Sequence, residues 1–281
     1  MDERPELIQA PAKKALGQHF LFDPDILKRT ALAAGPVEGR TVIEVGPGPG
    51  GLTRALLDAG AARVIAVEAD PRFASALKAW PEAHNGRLTV VGADARKVDF
   101  EAEVARLGEP NRPAMIIANL PYNVGTPLLV GWLKAGAWRG EMALMFQKEV
   151  AERICAEPGS PHYGRLAVLS QAVCETHVAF TLPPGAFRPP PKVDSAVAVL
   201  RPLPPETQFQ DLAALERVTA AAFGQRRKML RAGLKSLAKQ EGLDVIEWIE
   251  TAGLDPTSRP ETVDQACFRA LASTLGPTSG R

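Results

Sequence analysis

The sequence has little cysteine, little histidine, no long apolar run and almost no net charge, and each shortage removes a class of protein. Its three cysteines, Cys155, Cys174 and Cys267, lie far apart with no CxxC pair. That spacing argues against both a disulfide framework and a zinc cluster. The four histidines (His19, His84, His162 and His177) are scattered, without HExxH or any paired-ligand spacing, so no metal is assigned. Apolar stretches are broken within about ten residues by charge, Gly or Pro, well short of the ~20 that span a bilayer. The opening Met1-Asp2-Glu3-Arg4-Pro5-Glu6 carries charge where a secretory leader has its apolar region. These features point to a reduced, cytoplasmic protein with no membrane partner. Gly50-Gly51 is not followed by Lys and Ser or Thr, so there is no Walker loop, and no GxSxG offers an acyl-transfer serine.

What is present is enough for a sizeable core: 46% of the 281 residues are hydrophobic and 23% charged. Apolar runs at Thr41–Val45, Arg63–Val67, Leu88–Val91, Ala114–Ala118 and Met142–Phe146 predict strands. Most are Val- and Ile-rich without alternation, as parallel strands covered on both faces are. Helix-compatible stretches near 51–60, 71–80 and 126–135 separate them, and Asp23-Pro24 opens a further helix to about Ala34. This βαβ alternation predicts an α/β, doubly wound, Rossmann-like parallel sheet. Later, Ala179–Leu182 and Ser195–Leu200 read as strands, and Tyr163–Val173 as a helix. Arg201-Pro202-Leu203-Pro204-Pro205 is a linker by composition, beyond which 210–275 show only helical periods. The division drawn is a catalytic domain over 1–203 and a small helical domain over 204–281. Nothing demands more than a monomer.

The first strand leads into Glu44-Val45-Gly46-Pro47-Gly48-Pro49-Gly50-Gly51-Leu52-Thr53. Gly46, Gly48 and Gly51 fit the GxGxxG of dinucleotide sites; Gly46, Gly48 and Gly50 fit the GxGxG of S-adenosylmethionine enzymes. Missing side chains at such a turn let a ligand approach the backbone, although an ordinary glycine-rich turn has the same look. A pyrophosphate needs N–H donors here, and Pro47 and Pro49 have none, which tilts the reading toward a cofactor without phosphates. Glu68, ending the second strand, stands where an acid grips a ribose hydroxyl pair, ~20 positions beyond the loop, the plainer alternative being a solvated acid after a strand. Asp94, ending the third, is placed to accept from an adenine amine or, more plainly, to cap the next segment.

The fourth strand runs into Asn119-Leu120-Pro121-Tyr122. Alkylating an aromatic exocyclic amine needs such a quartet, because the nitrogen lone pair is delocalised into the ring. Two acceptors on the amine hydrogens, the Asn119 side-chain oxygen and the Leu120 carbonyl, pull the nitrogen toward tetrahedral geometry and localise that pair. Pro121 fixes the direction of the carbonyl, and Tyr122 offers a face for the extruded base. Taken alone, Asn-x-Pro-Tyr is as easily a strand-ending turn; behind a glycine loop and two acids it reads as a reacting centre.

Together these blocks resemble the ribosomal RNA adenine dimethyltransferases. Lys14-Ala15-Leu16-Gly17-Gln18-His19-Phe20-Leu21, the glycine loop, Glu68-Ala69-Asp70 and Asn119-Leu120-Pro121-Tyr122 are similar to the family's cofactor and catalytic motifs. Phe146-Gln147-Lys148-Glu149-Val150-Ala151, Tyr163-Gly164-Arg165-Leu166, Phe187 to Ser195 and Phe223-Gly224-Gln225-Arg226-Arg227-Lys228 follow in the family's order. His19 stands where many relatives have Asn. The resemblance implies an enzyme that moves two methyls from S-adenosyl-L-methionine to N6 of each of two adjacent adenosines. Those adenosines lie in a hairpin near the 3′ end of small-subunit (16S) rRNA, in a late (pre-30S) assembly intermediate. It implies cofactor contacts at His19, Leu21, Gly46, Glu68, Asp94 and Asn119, with Gly48 in the same loop, and Phe187 facing Tyr122 across the adenine, the other reading of Phe187 being a core ring beside a rigid proline loop. Lys13 and Lys14 in the lead-in and Arg226, Arg227 and Lys228 are expected to grip RNA. The last three lie in an acid-free stretch from Arg217 to Lys239, able to attract phosphate although the chain's net charge is only +1. The alternatives are a large-subunit rRNA adenine methylase, a non-catalytic RNA-binding assembly factor that kept the fold, and a nicotinamide dehydrogenase. The last is weakened by Pro47 and Pro49.

Overall fold

The computed structural model of the chain describes residues 7–8, 11, 17–107 and 112–276. It forms two units: Met1–Ala151 with His177–Arg201, and Glu152–Thr176 with Pro202–Arg281.

The strands are β1 (Phe20–Leu21), β2 (Thr41–Val45), β3 (Arg63–Val67), β4 (Leu88–Val91), β5 (Ala114–Asn119), β6 (Arg139–Gln147), β7 (Cys174–Leu182), β8 (Phe187–Arg188) and β9 (Ser195–Pro202). Seven of them make one sheet in the order β4-β3-β2-β5-β6-β9-β7. The pairs β3–β4, β2–β3, β2–β5 and β5–β6 are parallel, and β9 runs antiparallel to β6. This is the Rossmann-like α/β sheet. Val42, Ile43, Val64, Ile65, Ile116 and Ile117 have no exposed surface, which is why these strands read as unbroken apolar runs. The chain winds outward through β3 and β4, then returns to β5 on the other side of β2. The strand order therefore reverses between β2 and β5, where the loops beyond the strand ends part and leave a crevice.

Helix starts follow local chemistry. Asp23 Oδ1 accepts from the N–H groups of Asp25 (2.9 Å) and Ile26 (3.1 Å), with Pro24 in the first helical position of Pro24–Ala31. Asp70 and Pro71 repeat the device for Pro71–Lys78. β1 and β8 form a two-residue antiparallel ladder of their own, Phe20 opposite Arg188 and Leu21 opposite Phe187. No local pattern announces this pairing of segments so distant in sequence.

The second unit is helical, with Arg165–Gln171, Leu212–Gly224, Leu230–Gly233, Lys235–Glu241, Val245–Thr251 and Gln265–Ser273. Leu215, Val218, Phe268 and Leu271 are fully buried in it. The division differs from the one drawn at 203/204, because 152–176 groups with the C-terminal helices. Leu203 N–H donates to the Val173 carbonyl (2.9 Å), Phe209 N–H to Ala172 (3.0 Å) and Gln265 Nε2 to Val168 (3.0 Å). A proline-rich linker marks where the chain leaves the sheet; it carries no signal about what an earlier segment packs against. Among the described residues no helix is long and apolar enough to cross a membrane.

Candidate active site

A cavity opens at the carboxyl ends of the parallel strands, lined by 17–21, the glycine loop, Glu68, Asp94, Arg96 and 119–124. The loop gives a structural reason to the glycines of both spacings, Gly51 included, where a Cβ would lie 3.0 Å from the Leu27 side chain and 3.2 Å from the Leu21 carbonyl. Gly46, Gly48 and Gly50 adopt φ of 73°, 52° and 90°, whereas Gly51 opens the helix Gly51–Asp58. At Gly48 a Cβ would also lie 2.6 Å from the Phe20 ring, so that position requires glycine both for its backbone and for room. The alternating glycines leave Pro47 and Pro49 between them, and the loop offers correspondingly few N–H groups to a ligand. One of those, Gly48 N–H, is already donated to Glu68 Oε2 at 3.0 Å.

Glu68 is 4% exposed, and its other oxygen accepts from Asp70 N–H at 2.7 Å. Burial raises its pKa above the ordinary carboxylate value, while the two backbone donors pull it back. A carboxylate has about four lone-pair sites, so these two bonds leave room for a hydroxyl pair. Glu44, at the foot of the loop, is 1% exposed and holds the Thr53 hydroxyl at 2.6 Å. Burial pushes its pKa up to about 8. Asp94 is ionised instead: the Arg96 guanidinium donates to both its oxygens (3.0 and 2.6 Å) and holds its pKa down at about 2. An adenine amine reaching Asp94 would share it with Arg96.

The Asn119 side chain donates from Nδ2 to the His19 carbonyl at 2.9 Å. A carbonyl only accepts, so the amide's NH2 faces His19 and Oδ1 is turned away from it. Leu120 is buried, and Pro121 packs 3.5 Å from where a Cβ on Gly46 would lie, so the glycine loop and this turn abut. The Pro121 carbonyl accepts from Val124 and Gly125 N–H (both 3.1 Å), starting the helix Gly125–Leu133. Tyr122 Oη lies 2.6 Å from Ser195 Oγ. The His19 ring stacks on Tyr122, with centroids 5.4 Å apart and planes at 28°. His19 Nδ1–H donates to the Pro189 carbonyl at 2.8 Å, since that carbonyl fixes which nitrogen carries the proton.

The chain matches the family model described as "Ribosomal RNA adenine dimethylase" over residues 10–259. It belongs to that family. It is 52% identical over 262 residues to "Ribosomal RNA small subunit methyltransferase A" of Maricaulis maris, covering 93% of this chain and 89% of the relative. It is 54% identical over 271 residues to the protein of the same name from Agrobacterium fabrum, covering 94% and 93%. Among solved structures, it is similar to a dimethyladenosine transferase from Plasmodium falciparum (TM-score 0.74, 26% identity, 90% of this chain and 96% of that one). It is also similar to the 23S rRNA methyltransferase ErmE (TM-score 0.66, 26% identity, 91% and 99%).

Of the residues singled out in the sequence, His19, Leu21, Gly46, Gly48, Glu68, Asp94, Asn119, Leu120, Pro121 and Tyr122 all line this one cavity. Phe187 does not. It is 2% exposed and packs in the hydrophobic core with Leu21, Leu182 and Val197. Side chains alternate along a strand, so β8 sends Phe187 inward and Arg188 out, and the ring found against Tyr122 is that of His19. Lys13 and Lys14 lie outside the described residues. Arg226, Arg227 and Lys228 are exposed in the second unit, in a turn after the helix Leu212–Gly224. Sequence reasoning assigned no role to Glu44, Arg96 or Ser195. A buried acid within a glycine motif was the one signal available for Glu44; the other two depend on contacts that no spacing reveals.

Proposed function

We propose that the chain transfers methyl groups from S-adenosyl-L-methionine to N6 of two adjacent adenosines, in a hairpin near the 3′ end of small-subunit rRNA within a pre-30S intermediate. The observation that carries this reading is the Asn119 amide, whose NH2 is committed to the His19 carbonyl at 2.9 Å, beside the glycine loop. That contact points Oδ1 elsewhere, as an acceptor for an amine hydrogen must be.

The cavity fits the cofactor by its donor set. A buried carboxylate with spare lone pairs at Glu68 suits a ribose hydroxyl pair, and a loop carrying two prolines suits a ligand without phosphates. The bound cofactor supplies an electrophilic methyl on a sulfonium. The chain's own residues do the rest. In the first transfer Asn119 Oδ1 and the Leu120 carbonyl accept the two amine hydrogens. In the second, one of them accepts the single hydrogen left on the monomethylated amine. In both, the acceptor localises the lone pair and stabilises the positive charge that develops on nitrogen. Tyr122 carries the displaced base, with stacking worth ~1–3 kcal/mol. No dedicated base is needed, because the methylated cationic amine loses its proton readily to water.

Relatives named for the small subunit are 52–54% identical, against 26% for the large-subunit enzyme ErmE, which favours the small-subunit substrate. Arg226, Arg227 and Lys228, with Lys13 and Lys14, would bind RNA backbone. We take the enzyme to act as a cytoplasmic monomer.

Asn119→Ala tests the chemistry. With cofactor and RNA saturating, the single-turnover rate is expected to fall about 10²–10³-fold while RNA affinity holds. A variant that still dimethylates within about threefold of wild type would remove Asn119 from the mechanism, since the expected loss is far larger.

A further inference from the structure

Tyr122 lies on a short turn after the strand that ends at Asn119, and its own segment is not what anchors its hydroxyl. Its hydroxyl is instead anchored from another element. Ser195 is the first residue of β9 and has no exposed surface. Its Oγ lies 2.6 Å from Tyr122 Oη, sharing a hydrogen bond with it. Ser195 is itself fixed: it stands opposite Gln147 in the β6–β9 register, and the Asp194 carbonyl beside it accepts Lys148 N–H at 2.9 Å. Burial also raises the Tyr122 pKa, so the phenol keeps its proton.

We infer that Ser195 is a positioning residue that sets the Tyr122 ring plane for the target base. This rests on the reading of Tyr122 as the base platform. The ring is held at its hydroxyl end by Ser195 and along one face by His19, leaving few ways to tilt. The adenine laid on that ring must present its amine to Asn119 Oδ1 and the Leu120 carbonyl together, and a tilted ring would bring it to one acceptor and away from the other. Small misplacements of reacting groups are costly to rate rather than to affinity.

The test is a double-mutant cycle on single-turnover methyl transfer, using Ser195→Ala, Tyr122→Phe and the pair, with S-adenosylmethionine affinity and melting temperature measured alongside. Each single variant is expected to lose about 3- to 10-fold in rate, the worth of one net hydrogen bond. The pair should be no slower than the worse single, with cofactor affinity unchanged. Losses that multiply in the pair, or a Ser195→Ala rate equal to wild type, would overturn the inference. Tyr122→Phe removes only the hydroxyl and reads the same contact if Ser195→Ala folds poorly; a wild-type rate for it would also overturn the inference. Tyr122→Ala separates the two levels. If it collapses the rate while the hydroxyl variants do not, only the role of Ser195 fails. If it stays near wild type, the platform reading fails as well.

Discussion

Glu68 spends one bond from each carboxylate oxygen on the backbone, on Gly48 and Asp70, and keeps the rest of its accepting capacity for the cavity. A ribose hydroxyl pair buried there without an acceptor would be left unsatisfied, at about 1–3 kcal/mol. Glu68→Ala is therefore expected to weaken S-adenosylmethionine about 10- to 100-fold by calorimetry, and unchanged affinity would take Glu68 out of the site. Glu44 makes a prediction about pH. Its folded pKa of about 8 lies above the ordinary 4.5, because burial disfavours the charge. The unfolded chain releases this proton at lower pH than the folded one. Its contribution to stability is thus complete below about 4.5 and lost as pH rises through about 8. Melting temperatures of wild type should fall across that window relative to Glu44→Gln, and parallel profiles would contradict the assignment. Much of this was legible in the sequence: the acid after β3, the Asn-Leu-Pro-Tyr turn and the glycine loop declare themselves by position. The His19–Tyr122 stack and the Tyr122–Ser195 bond were not, because each joins segments far apart in sequence.

Strands and capped helices came through because their signals are local. Val- and Ile-rich runs, and Asp-Pro at helix starts, lie within a few residues of what they specify. The β1–β8 ladder is the opposite case. Its two residues a side are too short for any periodicity, yet it decides that Phe187 faces the core. The basic turn after Leu212–Gly224 is an element whose role is testable by salt. Arg226 also donates to the Pro161 carbonyl at 2.8 Å, so one of its donors serves the fold, while Arg227 and Lys228 are exposed. Replacing all three with Ala is expected to lower RNA affinity and reduce the salt-dependence slope by up to about 2–3 units. Cofactor affinity should not change. A slope equal to wild type would assign this turn to solvent.

The chain as a whole joins a sheet unit that carries every cavity residue to a helical unit that carries the basic turn. The acid-free stretch 217–239 hinted at that separation of chemistry from electrostatics. It was legible only in part, because Arg217 turns out to pair with Glu241. The assignment of 152–176 to the helical unit was hidden, since a discontinuous unit leaves no mark in composition. The central claim is the reaction itself, and transfer of tritiated methyl from S-adenosylmethionine into purified small subunits lacking the modification tests it most directly. Digestion to nucleosides and mapping of the label are expected to give N6,N6-dimethyladenosine at two adjacent positions near the 3′ end of the small-subunit rRNA. Purified large subunits should take up none. Label in large-subunit rRNA instead, or no transfer to small subunits by a folded protein that binds S-adenosylmethionine, would contradict the account.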